Sequence, residues 1–184
     1  MTSGKPKAPI RNGCSGRTDT CAGTNRALNP RPERALGANL GRKGVGMPNA
    51  IAEGGCACGA IRYRVSGRPT NTMICHCQTC RRVAASPVVA WLTFPVAQFQ
   101  LVAGRPSVFH SSQPVRRTFC GACGTPLTYE HADSPDSVDV TTCSLDSPGA
   151  FPPTHHSWLS HGIAWIRFGD GLPTFQQWRN DKAV

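Results

Sequence analysis

The chain has 184 residues, enough for one domain with a sizeable core, and 39% of them are hydrophobic. It has no run of about 18 apolar residues, which excludes a helical membrane span, and no apolar stretch near the start that would read as a secretory signal. The net charge of +10 suggests a nucleic-acid binder only until it is divided: residues 1–46 hold nine Lys/Arg against two acids, residues 47–184 eleven against eight, so the remainder is mildly basic and nucleic acid is not an expected partner.

Residues 1–46 are rich in Gly, Pro, Asn, Arg and Ser and contain no aromatic residue. Such a segment cannot bury enough surface to offset its ordering entropy, so disorder is expected. A mitochondrial presequence is the weaker reading, because no amphipathic helix is visible. Met47 opens "MPNAIAEGGCACGAIRY", which would itself serve as an N-terminus. The expected organisation is a basic tail over residues 1–48 and one folded, zinc-binding domain over 49–180. Cys14 and Cys21 fall in the tail and receive no role.

From about Ile51 the pattern is β. In "AIRYRVSG" Ile61, Tyr63 and Val65 alternate with Arg62 and Arg64, as in a half-buried strand. "SPVVAWLTF" is an apolar run with β-branched and aromatic residues, suited to a buried strand. "FQLVAG", "PSVFHSS", "VRRTFC", "PLTYEH" and "SVDVTTCS" are further short strands, parted by Gly and Pro. Helix is expected only for a turn or two after Cys77 and in "PVAQF". The fold class is therefore mainly β, with antiparallel sheets packed face to face and few short helices.

Seven of the ten cysteines stand in three tight groups: Cys56 and Cys58 in "GGCACGA", Cys75, Cys77 and Cys80 in "MICHCQTCRR", and Cys120 and Cys123 in "FCGACGTPL". Cysteines this close make poor disulfide partners for one another but aim several sulfurs at one place. They indicate reduced, metal-binding thiols in a cytoplasm. Two residues between Cys120 and Cys123 let both sulfurs face one ion, with glycines permitting the turn. Cys56 and Cys58 are the natural complement, giving a closed four-thiolate site that staples distant segments. A redox CxxC would want a thioredoxin-like βαβ context, which is absent.

Cys75, Cys77 and Cys80 then offer three ligands. Three protein ligands with one open position is the catalytic arrangement of zinc. The open reading is preferred to closure by Cys143, or by His155 or His156. In an extended chain His76 points away from its neighbours' sulfurs. All-thiolate sites make zinc the first choice over iron, so two zinc ions per chain are expected. Arg81, Arg82, Arg116 and Arg117 flank the cysteines and would balance thiolate charge or hold an anionic substrate.

"GGCACGAIRY", "CHCQTCRR", "FCGACGTPL", "SLDSP" and "HHSW", in that order, resemble the glutathione-dependent formaldehyde-activating enzyme family, which includes the centromere protein V type of domain. The resemblance runs from about Gly54 to Phe175. It implies a compact antiparallel β fold of β-tent type, a structural zinc on Cys56, Cys58, Cys120 and Cys123, and a catalytic zinc on Cys75, Cys77 and Cys80. It also implies carbon–sulfur lyase chemistry on S-hydroxymethylglutathione, the adduct of a small thiol, glutathione, and a small aldehyde, formaldehyde. Arg81, Arg82 and Arg117 would position the anionic thiol, and Trp158, Trp165, Asp170, His155 and His156 are further site candidates. Two departures stand out: Ala85 where the family commonly has a glycine that would allow close approach of substrate, and Cys143 where a small residue is usual. The rival classes are a non-catalytic zinc module that binds a partner or, through the tail, a nucleic acid, and a redox or metal sensor. The sequence sets no oligomeric state.

Overall fold

The computed structural model describes residues 51–179. The tail over 1–48, the start at Met47, Cys14 and Cys21 lie outside the described residues.

Among the described residues there are ten strands and one α-helix: the seven strands expected from the sequence, and three more that it did not single out, the first, third and tenth. The strands are β1 (Ala52–Gly55), β2 (Arg62–Val65), β3 (Asn71–Cys75), β4 (Val89–Pro95), β5 (Phe99–Ala103), β6 (Ser107–Ser112), β7 (Val115–Phe119), β8 (Pro126–His131), β9 (Ser137–Thr141) and β10 (His155–Ser157). Helix α1 (Gln78–Ala84) lies between β3 and β4, and "PVAQF" forms a single 3-10 turn at Val96–Gln98. They build a three-stranded sheet, β1-β2-β5, and a seven-stranded sheet, β10-β3-β4-β9-β8-β7-β6. All pairings are antiparallel except β10 with β3, where His156 lies beside Ile74.

The alternation of each strand decides which face it gives to the core. Tyr63 and Val65 of β2 are buried while Arg62 and Arg64 are partly exposed. On β4, Leu92 and Phe94 join Tyr63, Val65, Leu127, Val138 and Val140 in one cluster, so the small sheet packs on one face of the large one. Val89 and Trp91, of opposite parity on β4, join Met73, Cys75 and Cys80 in a second cluster. A strand with two buried faces needs a continuous apolar run, which β4 has. Each large side chain buried this way contributes about 1.5–3 kcal/mol.

The motif "SLD" is structural. Arg62 donates from Nη1 to Asp146 Oδ1 at 2.9 Å and makes a second guanidinium–carboxylate contact with Oδ2. The Tyr63 hydroxyl and Ser144 Oγ are hydrogen-bonded at 2.5 Å. Together they tie β2 to the segment that follows β9.

Candidate metal centres and the cavity beside them

The first cysteine cluster forms where two tight turns meet. Gly59 (φ 78°) and Gly124 (φ 75°) take the left-handed conformation that each turn requires. The Gly124 N–H donates to the Cys120 carbonyl at 2.8 Å and the Gly59 N–H to the Cys56 carbonyl at 3.0 Å. These turns bring the sulfurs of Cys56, Cys58, Cys120 and Cys123 within 4.8 Å of one another. Cys56 and Cys58 stand 3.4 Å apart, and Cys58 and Cys120 3.7 Å. Zinc–sulfur bonds of about 2.3 Å in a tetrahedron put the sulfurs about 3.8 Å apart, so this donor set fits a four-thiolate metal ion. All four are free thiols; Cys56 and Cys120 are buried within the main core cluster.

Thr125 joins the two halves, a role the sequence did not reveal. Its hydroxyl accepts from the Ala57 N–H at 3.1 Å and stands 3.2 Å from Cys123 Sγ, to which its proton is free to be donated. The Thr125 hydroxyl and amide hold the Cys123 thiol down at about 5. Cys58 is drawn down by the Ala60 N–H but pushed the other way, to about 12, by the thiols of Cys56 and Cys123. Four crowded thiols thus resist sharing charge in the absence of a cation, and a divalent ion relieves that conflict.

The second cluster is built by a strand running into a helix. Cys75 ends β3, Cys77 caps α1, and Cys80 lies in the first turn three residues on. Cys77 Sγ accepts the Cys80 N–H at 3.3 Å, doing what serine does at a helix start. The spacing of three puts Cys77 and Cys80 on one face, and the extended spacing of two puts Cys75 with them. The three sulfurs lie within 4.8 Å of one another. The Cys75 and Cys80 thiols hold the Cys77 thiol down to about 2, helped by the Cys80 amide and Arg117, while the thiols of Cys77 and Cys80, with burial, push Cys75 far up.

Among the described residues no histidine, carboxylate or further cysteine joins this cluster. Cys143 is exposed. His156 is committed elsewhere: its Nδ1 is 2.9 Å from His76 Nε2 and its Nε2 is 2.9 Å from Asp170 Oδ2. His155 Nδ1 meets Thr154 Oγ1 at 3.1 Å, and its Nε2 is buried without a hydrogen-bond partner among the described residues. His76 turns away from the sulfurs into this His–His–Asp chain, and burial, then His156 and Arg81, lower its pKa to about 4.

A cavity of about 270 Å³ opens on the three sulfurs, walled by Trp91, Arg117, Tyr129, Asp139 and Trp158. Of the three arginines expected at the substrate, Arg117 lines it. Its side chain is 5% exposed and donates to Ser111 Oγ at 3.0 Å and to Cys80 Sγ at 3.6 Å, with the guanidinium 4.7 Å above the Tyr129 ring. Arg81 is spent on backbone, donating to the carbonyls of His76 (3.1 Å) and His161 (2.8 Å). Arg82 is exposed and lines neither this cavity nor the cleft beyond it. Trp158 walls the cavity with a left-handed backbone (φ 61°), whereas Trp165 is 74% exposed.

Asp139 is a site candidate that the sequence analysis missed. It alternates with Val138 and Val140, so it faces away from the main core, where it accepts from Thr93 Oγ1 at 2.6 Å. Burial lifts its pKa to about 6, against the pull of Thr93 and Arg117. A lone acid inside "VDV" was the available signal.

Residues 51–161 match the family model described as glutathione-dependent formaldehyde-activating enzyme. The chain belongs to that family. Among curated relatives, an uncharacterized lyase of Schizosaccharomyces pombe is 30% identical over 118 residues, 63% of this chain and 73% of that protein. A Halomonas elongata protein provisionally named glutathione-dependent formaldehyde-activating enzyme is 29% identical over 125 residues, 63% of this chain and 80% of that protein. A Rhodobacter sphaeroides protein of known crystal structure aligns with TM-score 0.44 at 22% identity, over 51% of this chain and 87% of that one.

Ala85, where the family resemblance led us to expect glycine, is the C-cap of α1 with φ 48° and ψ 39°. A left-handed cap explains a glycine at this position by backbone conformation rather than by approach of a substrate.

Proposed function

We propose that this family member is a zinc-dependent carbon–sulfur lyase that makes and breaks adducts of a thiol with an aldehyde, S-hydroxymethylglutathione being the type substrate. The observation that carries the reading is the pairing of two unlike thiol clusters. One has four sulfurs and is joined to the core; the other has three and opens on a cavity. Cys56, Cys58, Cys120 and Cys123 would hold a structural zinc, and Cys75, Cys77 and Cys80 the catalytic one. When bound there, zinc supplies Lewis acidity toward a thiolate or carbonyl oxygen, muted by three electron-rich ligands.

The chain's own groups supply the rest. In the lyase direction the carbon–sulfur bond breaks, its electron pair goes to sulfur, the hydroxyl proton is lost and the carbonyl forms. Arg117 offers positive charge beside the sulfurs, where the leaving thiolate develops. Asp139 lines the same cavity with a pKa near the working range, as a group that takes the hydroxyl proton and returns it to the thiol must have. Trp91 and Trp158 narrow the cavity and limit water. Free thiols throughout both clusters suit a reducing cytoplasm.

The test is magnetisation-exchange NMR on glutathione and carbon-13 formaldehyde with the metal-loaded full chain. Wild type is expected to accelerate exchange between free and thiol-bound formaldehyde, and Cys77→Ser to abolish the acceleration while keeping its fold. Exchange at the uncatalysed rate with wild type would rule the reading out.

A further inference from the structure

A second cleft adjoins the first. It shares the walls of Cys80, Trp91 and Arg117 with the cavity over the three sulfurs and has a volume of about 420 Å³. Its remaining walls are largely apolar: Val83 and Ala84 from α1, Val89 from β4, Val108 and Phe109 from β6, and Phe119 from β7. Val83, Val108 and Phe109 are 37%, 46% and 47% exposed, so much of their hydrocarbon is left uncovered. Formaldehyde has no group that would fill such a space. An apolar cavity of about 150 Å³ already accepts benzene, so about 420 Å³ has room for a substituted ring or a branched alkyl chain.

Charge argues the same way. Glutathione carries two carboxylates and an ammonium, and burying them beside valine and phenylalanine without partners is unfavourable. The charged side chain in this cleft is Arg117, already engaged with Ser111, Cys80 and Tyr129. The hydroxyls of Thr118 and Thr128 also line this cleft but are bonded to each other at 2.6 Å, and more polar partners stand in the first cavity, where Gln78, Thr79, Ser111 and Ser112 line the wall. The second cleft is thus the more apolar of two spaces that meet at Cys80 and Arg117. A polar half and an apolar half of one molecule would lie on either side of the reacting sulfur.

We infer that the cleft between α1, β6 and β7 is a substrate subsite for an apolar group, aromatic or branched alkyl, carried by one half of the carbon–sulfur adduct. This rests on the lyase reading and narrows its substrate class: the preferred adduct is larger and more apolar than that of glutathione with formaldehyde. The apolar group belongs to either the aldehyde or the thiol, and the substrate pairs below tell them apart.

The experiment has a binding arm and a turnover arm, both on the metal-loaded full chain. In the first, unreactive benzyl alcohol is titrated and followed by the methyl resonances of Val83, Val89 and Val108. Saturable shifts at these methyls are expected, with at least a fivefold weaker affinity in Val108→Asp, whose exposed position on the edge strand tolerates a charge. No shift, or equal affinity in Val108→Asp and in Phe109→Ser, overturns the inference, as it would if another part of the chain or a second copy filled the cleft. In the second arm, exchange is compared for glutathione with formaldehyde, glutathione with benzaldehyde, and benzyl mercaptan with formaldehyde. A rise of about tenfold or more in kcat/KM for one aryl pair supports the subsite and names the half that carries the group. Turnover of the formaldehyde pair alone, without benzyl alcohol binding, sinks the subsite and spares the lyase reading. Benzyl alcohol binding with no turnover of any pair sinks the lyase reading and, with it, the substrate role of the cleft.

Discussion

Replacing Arg117 with methionine keeps much of the side-chain volume and removes three interactions at once. The guanidinium donates to Cys80 Sγ and to Ser111 Oγ and lies 4.7 Å over Tyr129. A hydrogen bond to a charged partner is worth about 1.5–3 kcal/mol, and a desolvated cation–π contact up to about 2 kcal/mol. Methionine needs no desolvation of charge, which offsets part of the loss. A net destabilisation of about 2–3 kcal/mol follows, or roughly 10 °C in Tm for a domain of this size. Three thiolates on a dication also carry a net negative charge that Arg117 balances, so metal should leave the second site faster. Urea unfolding of the metal-loaded protein measures the first effect and transfer of metal to a chelating dye the second. A change below about 0.5 kcal/mol, with unaltered metal release, would refute the claim that Arg117 is the counter-charge of the cluster.

Asp139 gives a pH signature. Its folded pKa, near 6, lies above the ordinary 3.8, so the native state holds the extra proton between those values and stability falls as pH rises from about 4 to about 6. Asp139→Asn should leave stability unchanged near pH 3.5 and raise it by about 1–2 kcal/mol at pH 8, allowing for partial exposure, as read by thermal unfolding across pH; a variant less stable at pH 8 contradicts this. Ala85→Gly should stabilise by about 0.5 kcal/mol, because glycine adopts the left-handed cap without strain and its greater unfolded-state entropy offsets only part of that gain. A loss of stability in urea unfolding would show that the cap is not the reason for glycine there.

Much of the fold was legible because its strands alternate. "IRYRV" showed one buried face by its alternation and "VVAWLTF" read as a buried strand; the structure adds that both faces of β4 carry a core. The cysteine groups were legible because their spacing is itself the geometry: tight glycine turns for Cys56, Cys58, Cys120 and Cys123, and a strand end running into a helical turn for Cys75, Cys77 and Cys80. Contacts made across the fold were not. The parallel pairing of β10 with β3 puts His156 against His76, 80 residues away in the chain, and Asp170 completes that trio from a loop. Arg81 looked like a substrate ligand, since its identity says cation and only the fold shows two carbonyls taking its donors. The glycine expected at Ala85 was referred to the pocket because residue type alone does not say whether space or backbone angle demands it.

The central claim is that the chain holds two metal ions in sites of unlike kind, one built into the fold and one exposed to substrate. Metal content per chain, measured on protein purified under reducing conditions, tests it most directly in wild type and Cys77→Ala. The account predicts two zinc ions in the wild type and one in the variant, with the circular dichroism of the fold retained. One ion in both proteins would contradict it, leaving Cys75, Cys77 and Cys80 as thiols without a metal.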